Sequence, residues 1–241
     1  MISPEDGATL NYTHVLFEWT QMPDASQYEI EITTSSSFSS VLSSSVTSSL
    51  VHIEYEALDW NEDYFWRVRP VFESGVVGDW TEVSSFSTSS PIATATETTT
   101  YSPQGYQDGV TFLGSLDGNF SAAFDETGNE VWNSGSDDLI MYNTNLMGEL
   151  YGCHYEPQLE NSYPAMEFDL DGNYIWEEPN EDFSHHDIIR LPDGNYLSIV
   201  ETQMTLPIPG AELNYPWYTQ CMSSYPAAVC ENFSWVGDKL V

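Results

Sequence analysis

In the first ninety or so residues, apolar and polar side chains alternate in short runs. Val15–Trp19 reads VLFEW, Tyr28–Ile32 reads YEIEI and Tyr64–Arg69 reads YFWRVR. A period of two puts Tyr28, Ile30 and Ile32 on one face of a strand, and Tyr64, Trp66 and Val68 on one face of another. A closing strand is expected from Trp80 to Phe86. Turn residues punctuate the runs, and no stretch sustains a 3.6-residue apolar period between helix caps, so the chain reads as all-β. Short strands and polar turns over this length predict a seven-stranded sandwich. Ten Ser in the fifteen residues Ser35–Ser49 predict an exposed edge and its loop.

The set FEWTQMPDASQYEIEI, then Leu58 with Tyr64 six positions on, then YFWRVRPV and the closing WTEVSSFST, resembles a fibronectin type III domain. The resemblance implies that Trp19 is core and that Leu58 and Tyr64 form a tyrosine corner. It implies a spacer or adhesion module, not chemistry.

From Ser87 to Thr100 the chain reads STSSPIATATETTT, nine of fourteen residues being Ser or Thr, with Pro91 breaking strand pairing. The domain division expected is a sandwich over residues 1–88, a linker over 89–100 and a second β domain over 101–241. That second domain carries a repeat. FDETGNEVW (Phe124–Trp132) recurs 44 residues later as FDLDGNYIW (Phe168–Trp176), and LDGNF (Leu116–Phe120) is echoed by PDGNYL (Pro192–Leu197). Asp-Gly and Gly-Asn between apolar runs are hairpin turns, because Gly tolerates positive φ. Two hairpins in a period near 44 residues is the pattern of a β-propeller blade. Residues 101–241 supply about three blades, fewer than closure needs, so the expectation is a partial propeller, a fragment, with open edges that favour self-association. Trp132 and Trp176 are expected to share one inter-blade environment.

Composition narrows the function classes. Four Lys and Arg against 38 Asp and Glu give a formal charge of -34, so nucleic acid and anionic membrane surfaces are excluded as partners. Such a surface suits a salty medium, where at ~0.5 M salt the Debye length is roughly 4 Å. Hydrophobic residues at 41% and aromatics at 14% supply packed cores. No apolar run is long enough for a transmembrane helix, and MISPEDGATL has no signal-peptide pattern. Cys221 and Cys230 close a short loop and either form a disulfide or, with Cys153, are buried thiols.

The most informative segment is DFSHHDIIRLPDGNYLSIV, Asp182–Val200. His185, His186 and Asp187 stand immediately before a strand and are the candidate catalytic residues, since His serves as nucleophile, base or oxyanion partner. The structural alternative is that the two His brace a turn and Asp187 caps it. Arg190 and His154 are candidate substrate-binding residues, with packing as the alternative for His154. Asp169–Asn173 (DLDGN) has a calcium-loop look, but its Gly follows directly on the second Asp, so a hairpin turn is expected and no metal.

The tandem D-x-x-G-N-x-(V/I)-W segments, then HHDIIRLPDGNYL and the GDKLV ending, resemble the arylsulfotransferase propeller family over residues 104–241. The resemblance implies a six-bladed propeller with a central site of several His and an Arg. It implies that a His takes the sulfuryl group from an aryl sulfate donor and passes it to a phenolic acceptor, with no cofactor. It places a sulfate-binding His at His185, or alternatively His186, with Asp187 as its polar partner. Arg190 does not match the family's Arg, and neither that Arg nor the nucleophilic His has a counterpart here. The expected protein is therefore part of an exported aryl sulfotransferase, secreted, periplasmic or at the cell surface, and inactive on its own. Two readings compete: a non-catalytic surface propeller that binds a glycan or a protein, and a quinone-dependent dehydrogenase, for which the tryptophan pattern and a basic cofactor pocket are missing.

Overall fold

Alternation in the N-terminal strands is realised as a buried face. The computed structural model describes residues 1–93, 109–115, 117–135, 138–145, 148–156, 163–179, 184–206 and 216–241, with the backbone alone for His185, His186, Trp217, Tyr218 and Trp235. The expected linker beyond Ala93, Leu116 of the LDGNF turn and Asp182–Phe183 lie outside the described residues. The described residues are all-β apart from two short helices. It divides into one unit of residues 1–139 with 169–173 and a second of residues 140–168 with 174–241.

The first unit opens with seven strands: β1 (Ala8–Leu10), β2 (Val15–Glu18), β3 (Ala25–Thr33), β4 (Ser43–Thr47), β5 (Val51–Glu54), β6 (Asp63–Phe72) and β7 (Ser84–Thr88). One sheet has the order β1-β7-β6-β3-β4 and the other pairs β2 with β5, an immunoglobulin-like sandwich. Phe17, Trp19, Tyr28, Ile30, Ile32, Leu58, Tyr64, Trp66, Val68 and Phe86 are all buried in its core. Phe17 meets the Trp66 ring edge-on at 5.0 Å, and Tyr64 stacks on Phe86 at 5.2 Å. The Tyr64 hydroxyl accepts the Asp59 N–H at 2.7 Å and faces the Asp59 carbonyl at 3.3 Å, the bonding of a tyrosine corner.

The last sandwich strand starts at Ser84, four residues later than expected. Trp80 is instead recruited as an aromatic platform, 4.2 Å from the Arg67 guanidinium and 4.3 Å from that of Arg69. Both guanidiniums are held by carboxylates across the β3–β6 pair, Arg67 by Glu31 and Arg69 by Glu29, each at 2.7 Å. The Ser-rich stretch supplies β4, which ends the sheet order.

Three antiparallel meanders follow. The first is β8 (Thr111–Ser115), β9 (Phe120–Phe124) and β10 (Glu130–Asn133). The second has four strands in sequence order: β11 (Leu139–Thr144), β12 (Leu150–His154), β13 (Ala165–Phe168) and β14 (Tyr174–Glu177). The third is β15 (Ser184–Arg190), β16 (Tyr196–Leu206) and β17 (Phe233–Leu240). Between β16 and β17 lie the two helices that the strand pattern did not foretell, α1 (Pro216–Ser224) and α2 (Ala227–Glu231), joined by a Cys221–Cys230 disulfide.

One turn geometry recurs. In 125–129, 145–149, 169–173 and 191–195 the first N–H donates to the fifth carbonyl, and the fourth N–H returns to the first carbonyl. The fourth residue is each time a Gly with φ between +79° and +89°. This is a three-residue hairpin loop closed by a glycine in the left-handed region. The carboxylates of Asp125 and Asp169 accept the turn's own N–H groups and the side chain of Asn129 or Asn173. DLDGN is thus a self-satisfied hairpin turn.

Within the first unit the sandwich is stitched to β10. Thr13 N–H donates to Val131 O and Asn133 N–H to Asn11 O, both at 2.9 Å. The Trp60 indole donates to Glu130 O at 2.8 Å. The Glu130 side chain accepts the N–H groups of Ile92 and Ala93 and the amide of Asn133. Residues 89–93, read as linker, therefore begin as a hydrogen-bonded strap.

Candidate functional site

His185, His186 and Asp187 lie in β15, at a break in its ladder. Ser184 pairs with Val200 and Ile188 with Ser198, so three residues intervene on β15 where Ile199 alone intervenes on β16. The break is a β-bulge, a device that re-aims side chains next to sites. Two hydroxyls hold it: the Asp187 carbonyl accepts from Ser184 Oγ at 3.0 Å and Ser198 Oγ at 3.1 Å. Ser184 is fully buried and exchanges backbone bonds with Tyr163, 2.9 and 3.1 Å long. The Asp187 residue itself is exposed.

His154 closes β12, half-buried, its N–H donating to Pro164 O at 3.4 Å. The Tyr163–Ala165 segment thus runs between the end of β12 and the start of β15. Beside His154, Cys153 packs with Ile140, Tyr142, Tyr155 and Tyr163. Burial pushes the Cys153 thiol up to about 11, with the Tyr142 hydrogen bond working the other way. It also raises the Tyr142 hydroxyl.

Arg190 ends β15, five residues from His185 and beyond the bulge. Its guanidinium lies 3.6 Å from Glu167 Oε1 and 4.0 Å from Glu149 Oε1. Glu167 is 1% exposed and accepts the Tyr196 hydroxyl. Tyr151 donates to Glu149 at 2.8 Å. Hydrogen bonds from Tyr151 and Asn145, aided by the Arg190 charge, hold Glu149 below the usual carboxylate range. Burial first, then the Glu167 carboxylate, pushes Tyr196 up to about 12. Arg190, Glu149, Tyr151 and Asn145 border a cleft of about 330 Å³ together with Leu191, Pro192 and Gly194. The sequence reading picked out Arg190 but not Glu149, Glu167, Tyr151 or Tyr196. The local signal was an acidic residue inside the apolar run AMEF.

The candidates therefore fall into two groups: the bulge residues near the start of β15 with His154 at the end of β12, and Arg190 with its carboxylates at the end of β15. Among the described residues no group of three or more His, Cys, Asp or Glu is arranged to hold a metal ion.

Comparison with known proteins bears on the sandwich. Residues 7–90 match the family model of the Rha78A-like, N-terminal immunoglobulin domain. The match agrees with the sheet order and core described above and covers the sandwich alone. No match was found among curated proteins. Among solved structures, an alpha-L-rhamnosidase from Dictyoglumus thermophilum aligns at 15% identity with a TM-score of 0.31, over 49% of this chain and 15% of that one. The chain thus spans a small part of that protein's length.

Proposed function

We propose that the chain is part of an exported arylsulfotransferase-like protein in which the meanders are propeller blades and the β15 bulge presents one arm of a sulfate site. The observation that carries the reading is the HHD segment on a serine-braced bulge at the first strand of a meander. The four-stranded meander β11–β14 and the recurring hairpin turn support the blade assignment. The Cys221–Cys230 disulfide supports an oxidising compartment, and no helix among the described residues is long and apolar enough to cross a membrane. The domain division at 88 and 100 belongs to the same proposal.

The chemistry has two displacements. A His nitrogen attacks sulfur, the N–S bond forms, the aryl O–S bond breaks, and the aryloxide leaves as the phenol with the proton given up by the other ring nitrogen of that imidazole. A phenol oxygen then attacks sulfur, the N–S bond breaks, and the phenolic proton passes to the imidazole. Charge spreads over three sulfuryl oxygens in each transition state, so donors held in place beforehand lower both barriers. His185, or His186, is such a donor and Asp187 its orienting partner. His154 is assigned to the same substrate-binding end. Arg190 reaches the sulfate only by leaving Glu167 and Glu149.

The reading expects 4-nitrophenyl sulfate to bind the 241-residue chain saturably in calorimetry at high salt, without release of 4-nitrophenol. His185→Ala should weaken binding at least tenfold. Absence of saturable binding overturns the sulfate site, and steady turnover overturns the absence of a nucleophile. A second reading, a non-catalytic surface protein that binds glycan or protein, is favoured by the pairing of Arg190 with two carboxylates. It predicts no response to the sulfate ester at all.

A further inference from the structure

The second unit holds a cavity of about 490 Å³ that contains none of the candidate transfer residues. Trp176 of β14 and Tyr196 of β16 form one wall, their rings nearly parallel at 12° with centroids 3.8 Å apart. Ala165, Ile188, Pro179 and Val241 supply apolar surface. The polar groups are mostly committed. Ser198 Oγ donates into the bulge, the Asn195 amide binds Asp193, and Glu178 accepts the Ala165 N–H. The Tyr196 hydroxyl is turned to Glu167. Among the described residues the Trp176 indole N–H has no partner, and Trp176 is half-buried.

We propose that this cavity binds a neutral, planar aromatic molecule that extends the Trp176–Tyr196 stack and accepts a hydrogen bond from the Trp176 indole. The volume lies in the range of small-molecule sites and exceeds what one or two fused rings need. Flat aromatic walls reward a flat ligand by dispersion and offset stacking. A saccharide needs several convergent hydrogen-bonding groups, and the Ser198, Asn195 and Glu178 side chains at this wall are already bonded to neighbouring residues. An anion is disfavoured by the Glu178 carboxylate at the wall and by the charge of -34 on the chain. The site stands whether or not the chain transfers sulfuryl groups, because loss of stacking and loss of sulfate binding are read with different probes.

The probe is 2-naphthol, titrated by calorimetry into the 241-residue chain at neutral pH. One saturable site is expected, with 2-naphthyl sulfate at least tenfold weaker than 2-naphthol itself at displacing bound 2-naphthol and methyl glucoside failing to compete. Trp176→Ala should weaken 2-naphthol at least tenfold. Trp176→Phe, which keeps a ring and removes the donor, should weaken it about threefold. Pro179→Trp, on an exposed rim residue outside the core, should block the cavity and abolish binding if the alanine variant does not fold. Absence of saturation, equal affinity for the naphthyl sulfate, displacement by the glucoside, or indifference to both Trp176→Phe and Pro179→Trp overturns the proposal.

Discussion

Replacing Tyr64 by Phe isolates one bond of the sandwich. The ring is 1% exposed and stacked on Phe86, so Phe fills the same space and its apolar burial is unchanged. What disappears is the acceptor for the Asp59 N–H at 2.7 Å. The Asp59 carbonyl loses a 3.3 Å contact but keeps the Thr88 hydroxyl at 2.7 Å, so a single donor is orphaned. An unsatisfied buried donor costs about 1–3 kcal/mol. Asp59 borders solvent, and water recovers part of that, so we expect about 1.5 kcal/mol, a little more than tenfold in the opening equilibrium. Native-state hydrogen exchange by mass spectrometry reads it locally. Amides of β2, β3 and β6 should lose about tenfold protection in Tyr64→Phe, while β12 and β13 keep theirs. A loss under twofold would refute the corner, and an equal loss in β12 and β13 would show that Tyr64 acts on more than the sandwich.

Two further outcomes follow from packing and charge. A Cβ at Gly152 would sit far inside contact with the Ile140 carbonyl oxygen and the Met141 Cα, so Gly152→Ala should cost about 3 kcal/mol and strip exchange protection from β11–β13; a change below 0.5 kcal/mol in urea titration would contradict the close strand approach. Burial lowers the His14 pKa below its ordinary 6.5, against the pull of Asp125 and Glu126, so the unfolded chain takes the proton first and stability should fall as the pH drops through 6.5. Burial raises Asp125, but bonds from Thr127 and Asn129 outweigh it and hold it below 3.8, so its contribution is present above 3.8 and lost as the pH falls through the lower folded value. Urea midpoints between pH 7 and 3 should show two steps, the first removed by His14→Gln; a flat profile from pH 7 to 5 would refute the burial of His14.

Legibility tracked how local each determinant is. The sandwich was readable because period-two burial in β3 and β6 is written residue by residue, and because Leu58 and Tyr64 carry a spacing that only one corner uses. The end of the sandwich was misread by four residues because Trp80 is apolar, yet its ring serves two cations on the outer face rather than the core. Turn identity undercounted the repeats. Asp125–Asn129 and Asp169–Asn173 share Asp, Gly and Asn at the first, fourth and fifth positions, whereas Asn145–Glu149 has the same backbone bonds and matches them there only at Gly148. The geometry demands a left-handed glycine and little else. Trp132 and Trp176 occupy matching places in β10 and β14, but Trp132 is buried with its indole on Leu170 O, while Trp176 is half-exposed and stacked on Tyr196. Helices α1 and α2 escaped notice because they are short, start at Pro216 and just after Pro226, and are pinned by a disulfide rather than by an apolar stripe.

The candidate site was legible as a motif and illegible as geometry, for a reason specific to β15. In a regular strand His185 and His186 would point to opposite faces, and strand position alone would choose between them. The bulge cancels that rule locally: three residues on β15 face one on β16 and lack one-to-one partners, although parity is kept across it, with Ser184 and Ile188 both buried. Alternation read backwards from Ile188, which is fully buried, therefore cannot be carried to His185 or His186. The braces on the Asp187 carbonyl come from Ser184, three residues back, and from Ser198, on the next strand. Ser198 sits in a run read only as strand, YLSIV. The same holds for Arg190, whose partners Glu149 and Glu167 come from two earlier strand regions and Tyr196 from a later one. In a chain with four Lys and Arg and 38 Asp and Glu, a carboxylate near any guanidinium is expected from numbers alone. Which two carboxylates hold Arg190, and whether a sulfate ester can displace them, is set by the pairing of sheets and not by the order of residues.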